Sequence, residues 1–246
     1  MAPQVVSYGK CFLCGGTFAK NTMTRHLKAC VRKHETAQKG KPVRLFHLRV
    51  EGKYAPEYWL HLEIPASATL AALDDFLRAI WLECCDHMSA FTIRGVDYER
   101  DTGAEHAMWT GFFGSPLPTE SMSHKLYSVL SPGVVFVHEY DFGTTTTLTL
   151  KVVGERQGSV PEEKIRVLAR NYAPAIPCAL CDKQADWIYT FEFPPTPYCA
   201  AHAEEHEDWE EGFLPVVNSP RVGQCGYTGA RDKRLVFEEQ APAVQD

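Results

Sequence analysis

Cys11, Cys14, His26 and Cys30 follow one another as C-x-x-C, eleven residues, H, three residues, C. Thiolates and an imidazole at such spacings are the usual donors for tetrahedral zinc. A separation of four places His26 and Cys30 on one face of a helix. Gly15-Gly16 supply a tight turn after the first pair, and Phe18 and Met23 stand where a small finger carries its apolar core. The spacing therefore predicts a ββα-type zinc finger, with His34 as a weaker alternative for the fourth ligand. A module this small has too few apolar residues to fold by itself, so the metal would supply folding energy.

A second set lies near the C-terminus: Cys178-Ala-Leu-Cys181, seventeen residues, then Cys199-Ala-Ala-His202. The two pairs bracket Trp187 to Phe193, which alternates like a strand. This describes a zinc-ribbon or treble-clef-like module. Ala200 to Glu211 reads as a helix, with Cys199 and His202 at its first turn and His206 as an alternative ligand. Four closed ligands argue for a structural ion over a catalytic one, which needs an open position for water. Two structural Zn2+ sites are expected.

Charge separates the two sets. Residues 1–44 hold nine Lys/Arg against Glu35, a net of +8, which leaves -14 for the rest of a chain whose total is -6. Lys20, Arg25, Lys28, Arg32 and Lys33 lie on or around the predicted finger helix, where they could contact phosphates of DNA or RNA. The run Glu204-Glu205-His206-Glu207-Asp208-Trp209-Glu210-Glu211 would repel nucleic acid. A protein partner for either module is the second expectation. No small-molecule substrate is indicated.

The elements that must hold these sets can be read from periodicity. Phe46, Leu48 and Val50 alternate with Leu45, His47 and Arg49, a strand with one buried face. Tyr58 to Ile64 reads as a second strand. Leu70, Leu73, Phe76, Leu77, Ile80 and Trp81 recur at three and four, an amphipathic helix capped by Thr69 or Ser67. Further strands are expected at Ala90 to Arg94, Val134 to Tyr140, Thr146 to Val153 and Glu163 to Arg170. The span 99–120 reads as a long excursion. The fold class is α+β, a central mixed or antiparallel sheet with a packed helix, flanked by the two zinc modules. The boundaries are a finger at 1–34, a tethering linker at 35–43, a core at 44–157, a connecting segment at 158–176, and a C-terminal zinc module and tail at 177–246. The tail from Glu238 is expected to be disordered. No apolar run reaches the roughly 18 residues of a membrane span. The N-terminus lacks a signal-peptide pattern, so a cytoplasmic location is expected.

The core segment also resembles a known family. Phe46-His-Leu-Arg-Val50, Glu57-Tyr-Trp-Leu-His-Leu-Glu-Ile-Pro-Ala-Ser-Ala-Thr-Leu70, Leu73-Asp-Asp-Phe-Leu-Arg-Ala-Ile-Trp81, His87-Met-Ser-Ala-Phe91 and Tyr140-Asp-Phe-Gly143 occur in order. This series is similar to the plasmid pRiA4b ORF-3-like family, also described as insertion-element passenger proteins of TnpR type. Leu214 to Gly229 resembles the tail of members with an extra Cys-rich module. The resemblance implies an α+β fold and a link to bacterial mobile elements, and no established chemistry. Where many members continue the Asp-Phe-Gly stretch with Asp, an aromatic and His, this chain has Thr144-Thr-Thr-Thr-Leu148.

Catalytic constellations are not evident. A serine recombinase needs a nucleophilic Ser backed by clustered arginines, whereas Arg44, Arg49, Arg78, Arg94, Arg100 and Arg156 are scattered. An accessory role to a recombinase or nuclease is a distant third expectation. Asp74 and Asp75 are expected on a helix's solvent face, and Asp141 in a turn cap at Gly143, with a role for these and Glu139 as metal carboxylates the lesser alternative. One of Cys84 and Cys85 is expected to be a buried small residue, with a Cys/His pair to His87 the lesser alternative. Cys225 is expected to pack inside the Gly-rich C-terminal turns, with a reactive thiol the lesser alternative.

Overall fold

The computed structural model describes residues 6–34, 41–100, 117–159, 165–232 and 235–236. Residues 35–40 of the linker, most of the 99–120 excursion and the tail from Glu238 lie outside them. The chain divides into two units, Met1–Phe76 with Met88–Asn171, and Leu77–His87 with Tyr172–Asp246.

The first unit is built on a long, mixed sheet. Its strands are β1 (Tyr8–Cys11), β2 (Thr17–Ala19), β3 (Val43–Gly52), β4 (Trp59–Pro65), β5 (Ser89–Ile93), β6 (Val96–Glu99), β7 (Thr119–Ser121), β8 (Val135–Tyr140), β9 (Thr146–Gly158) and β10 (Arg166–Asn171). They lie in the order β2-β1-β10-β4-β3-β9-β8-β5-β6-β7. The β6–β7 pair is parallel, and the other pairs are antiparallel. Among the described residues its helices are α1 (Lys20–Lys33), α2 (Leu70–Leu77) and the short α3 (Leu126–Val129). This is a mixed α+β architecture.

The alternation seen in the sequence sets the faces of the sheet. Phe46, Leu48 and Val50 of β3 stand opposite Ile64, Leu62 and Leu60 of β4. Leu48 and Val50 also stand opposite Val152 and Leu150 of β9, and all eight side chains are buried. The other parity carries polar groups: His47 opposite Glu63, Arg49 opposite His61, Glu51 opposite Trp59. Every residue of β4 is buried, so both faces are covered there. On the apolar face, Asp74 of α2 bonds His138 of β8, which lies opposite Leu148. On the polar face, Trp59 packs with Met23, Leu27 and Val31 of α1. The sheet is thus clad by α2 on one side and α1 on the other.

Charges and rings on the polar face are matched. Arg156 and Arg166 both grip the Glu63 carboxylate. Burial would raise Glu63, but these two guanidinium groups outweigh it and hold its carboxyl below the usual range. His47 Nε2 and His61 Nδ1 lie 2.9 Å apart. Burial pushes His47 down to about 4 and His61 well below its ordinary value, which keeps both rings neutral at pH 7.

Asp74 corrects the expectation of a solvent face. It is fully buried and bonds His138 Nε2 at 2.6 Å and Arg100 Nε at 2.6 Å. Burial opposes its ionisation, yet His138 and Arg100 bring its carboxyl down to about 2. Asp75, one residue on, points outward and is 66% exposed. The helical pattern alone could not separate the two, because the partners come from β8 and from the residue after β6. Asp141 caps its turn as expected, with Oδ1 accepting from Gly143 N and Thr144 N. Thr69 caps α2 through Oγ1, which accepts from Ala72 N.

The second unit opens with a π-helical turn, Arg78–Leu82, closed by Glu83 N donating to Arg78 O. It also holds a three-stranded sheet of β11 (Trp187–Tyr189), β12 (Thr196–Tyr198) and β13 (Phe213–Pro215), in the order β12-β11-β13, with α4 (Ala200–Glu204). Two expectations shorten here. The strand ends at Tyr189, before Pro194-Pro195, and Phe191 and Phe193 are exposed. The helix ends at Glu204. Turns follow, because Trp209 turns in to meet Trp187 edge-on at 5.0 Å and Asp208 accepts from Tyr189 Oη at 2.5 Å.

Candidate metal centres

Three groups of four Cys/His residues have their donor atoms within 4.8 Å of one another among the described residues: Cys11, Cys14, His26, Cys30; Cys178, Cys181, Cys199, His202; and Cys84, Cys85, His87, Cys225. Zinc at about 2.3 Å from sulfur and about 2.0–2.1 Å from nitrogen implies tetrahedral edges of about 3.8 Å between sulfurs and about 3.6 Å between sulfur and nitrogen. Each group can therefore be tested against that figure.

In the first group, Cys11 Sγ and Cys30 Sγ are 3.9 Å apart, and Cys14 Sγ and His26 Nε2 are 3.4 Å apart. Both edges fit. The knuckle is a tight turn, with Gly15 N donating to Cys11 O and Cys11 N to Gly16 O. Gly15 takes φ +76°, a conformation that favours glycine. Phe18 stacks on the His26 ring at 3.7 Å and fixes its plane. Cys11, Met23, Leu27 and Cys30 share one buried cluster with Trp59, Leu168 and Ala169. The apolar support of the group thus comes from β4 and β10 as well as from its own helix. β1 pairs with β10, and Phe12 N donates to Leu168 O. Burial first, and the neighbouring thiols next, push the Cys30 thiol up to about 12, so a divalent cation is the natural stabiliser of thiolates packed this closely.

In the second group, Cys181 Sγ and Cys199 Sγ are 3.8 Å apart. His202 Nδ1 lies 3.4 Å from both Cys178 Sγ and Cys199 Sγ. The first pair sits on a turn closed by Cys178 N to Lys183 O, and Leu180 N donates to Cys178 Sγ. The second pair is placed by α4, which Cys199 precedes as N-cap residue and which Asp186 anchors by accepting from Ala200 N. Burial works against a Cys178 thiolate, but backbone amides and His202 bring its pKa down to about 6. His206 stands outside the group and packs on Tyr189 instead. His34 likewise stands outside the first group, at the end of α1.

The third group was not expected as a site. Cys84 is half-buried, while Cys85 and Cys225 are exposed, which corrects the expectations of a buried small residue and of a packed Cys225. The reason is local: Cys85 and Cys225 sit on tight turns, beside Asp86 at φ +60° and with Cys225 itself at φ +45°. One signal was available in the sequence. Once the two spaced sets are assigned, three cysteines remain, and His87 follows two of them closely.

The basic residues of the first module divide. Arg25, Lys28, Arg32 and Lys33 are exposed on α1, facing away from buried Met23, Leu27, Cys30 and Val31. Lys20 is engaged, with Nζ 2.7 Å from Glu51 and 2.6 Å from Pro56 O. Among the described residues no helix is long and apolar enough to cross a membrane.

No protein-family model matches this chain, and no curated protein matches it. Among solved structures, a protein of unknown function from Methanosarcina mazei Go1, MM3350, is similar at 15% identity and a TM-score of 0.43, over 54% of this chain and 72% of that one.

Proposed function

We propose that this is a zinc-stabilised binding protein that contacts nucleic acid through the exposed face of α1. The observation that carries the reading is the stripe of Arg25, Lys28 and Arg32, spaced three and four apart, with Lys33 beside it. Among the described residues none of these four is drawn into an ion pair. Cations left free on a helix clamped from behind are arranged to meet an anionic surface, and phosphate backbones are the commonest such partner. In this reading the first group is a ββα-type finger and the second a ribbon or treble-clef-like module, each holding one structural Zn2+. Closed sets of four donors support structure over catalysis. Membership of residues 44–157 in the plasmid pRiA4b ORF-3-like family, with its mobile-element link, belongs to the same proposal and rests on the ordered residue series.

The test is binding of labelled duplex DNA and of single-stranded RNA, measured by fluorescence anisotropy against salt. Three to four phosphate contacts predict a loss of roughly a hundredfold in affinity between about 50 and 200 mM salt. The triple variant Arg25→Glu, Lys28→Glu, Arg32→Glu should abolish binding with zinc content and circular dichroism unchanged, since the three side chains point into solvent. Absence of binding to either nucleic acid at low salt overturns the reading. Exposed Leu180, Phe191 and Phe193 in the C-terminal module favour a second reading, a protein-interaction adaptor.

A further inference from the structure

We propose that Cys84, Cys85, His87 and Cys225 form a third structural zinc site, which fastens the 219–229 segment to the turn after the π-helical turn. All four residues belong to the second unit, and their donor atoms lie within 4.8 Å of one another. His87 Nε2 is 3.1 Å from Cys225 Sγ, shorter than the sulfur–nitrogen edge of about 3.6 Å that bound zinc would impose. The donors are three thiols and one imidazole, the same set as in the other two groups.

Both sides of the site are held in place by bonds that do not involve the donors. On the first side, Glu83 accepts from Arg78 Nε and from Asp86 N, and Arg78 also pairs with Asp86. This folds residues 83–87 into a turn that brings Cys84, Cys85 and His87 together. On the second side, Ser219 Oγ donates to Trp81 O and Tyr227 Oη to Ile80 O. Buried Ser219 and Tyr227 thus bracket Cys225 and set it against the same turn. The donors meet because the two segments are pinned there, so the site is pre-organised.

Charge supplies the second argument. Arg221 is fully buried, and its guanidinium donates to Cys84 Sγ at 3.4 Å. A buried guanidinium is stabilised by negative charge beside it. A metal-bound thiolate at Cys84 would add such charge to the contacts Arg221 already makes. Three thiolates, a neutral imidazole and Zn2+ sum to -1, which the single charge of Arg221 would offset, while Arg231, bonded to Cys84 O at 2.5 Å, lies 3.9 Å from Glu83. Metal binding would expel the three thiol protons and leave the oxidation state of sulfur unchanged.

Zinc per chain, measured by native mass spectrometry on the full chain purified under reducing conditions, tests this. Three ions are expected, falling to two in Cys225→Ser and, independently, in His87→Ala. Cys30→Ser and Cys199→Ser should each remove one of the other two, so failure of the earlier zinc assignments is visible separately. If a variant does not fold, alkylation of the wild type decides: Cys84, Cys85 and Cys225 should be protected until a chelator is added. Two ions in the wild type that Cys30→Ser and Cys199→Ser each lower to one, a count unchanged in Cys225→Ser, or a disulfide-linked Cys225 that leaves the chain two hydrogens lighter would each overturn the proposal.

Discussion

Asp74 and Asp75 are adjacent, identical in type and different in consequence. Asp74 is buried between His138 and Arg100, whereas Asp75 reaches Arg100 from the surface. Removing one partner of a buried charged pair leaves the others uncompensated, at a cost of roughly 3–5 kcal/mol. An exposed pair contributes under about 1 kcal/mol. Urea unfolding of the zinc-loaded protein should therefore show Asp74→Ala losing about 3 kcal/mol, the lower bound because Arg100 is partly exposed and keeps Asp75, and Asp75→Ala losing little. Equal losses would mean that burial does not set the difference. In the sequence, the two residues fall inside an amphipathic helix whose apolar positions are legible, but no feature of the chain says which carboxylate faces β8. That depends on the rotation of α2 over the sheet.

At the scale of the element, β1 lies against two others at close quarters. A Cβ on Gly9 would come within 2.3 Å of Arg170 O in β10 and 2.5 Å of the Trp59 ring. Neither can yield cheaply, one being backbone and the other core. Gly9→Ala should thus cost at least about 2 kcal/mol through overpacking and separation of β1 from β10. Gly154, in β9, has open space where a Cβ would go, so Gly154→Ala is the control and should be tolerated. Urea midpoints for the two variants check this, and a tolerated Gly9→Ala would mean that β1 is not held against β10 and Trp59. β3, whose faces differ, was legible from alternation, and β4 as a second strand candidate. β11 and α4 came out shorter than their patterns, because Trp209, Tyr189 and Asp208 spend the following residues on side-chain contacts.

For the whole molecule, the two units differ in what supports them. The first has a continuous apolar layer through β3, β4, β9 and β8 that owes nothing to metal. The second has a sheet of three strands, each of three residues, beside two Cys/His groups. So small a sheet buries too little to hold itself, and metal would carry much of the folding energy. Chelation should therefore release amide protection across residues 177–229 first, with β3, β4 and β9 still protected in hydrogen exchange. Simultaneous loss in both units would contradict this. α1 should fall between them, since it has both a Cys/His group and the packing of Trp59, Leu168 and Ala169.

By itself, the sequence marked out the members of two Cys/His groups that could hold a metal, the basic bias of the first forty-four residues and the strands and helix of the core. Each of these is a local property, carried by spacings short enough for one turn, one strand or one helix face to express. The tertiary structure decided the rest. It placed β1 beside β10, buried Asp74 against β8, engaged Lys20 with Glu51, and brought Cys225 to Cys84, Cys85 and His87 from 138 positions away along the chain from His87. Contacts of that range leave no periodic trace in the residues between, because they are made by whichever segments the packing of the fold brings together.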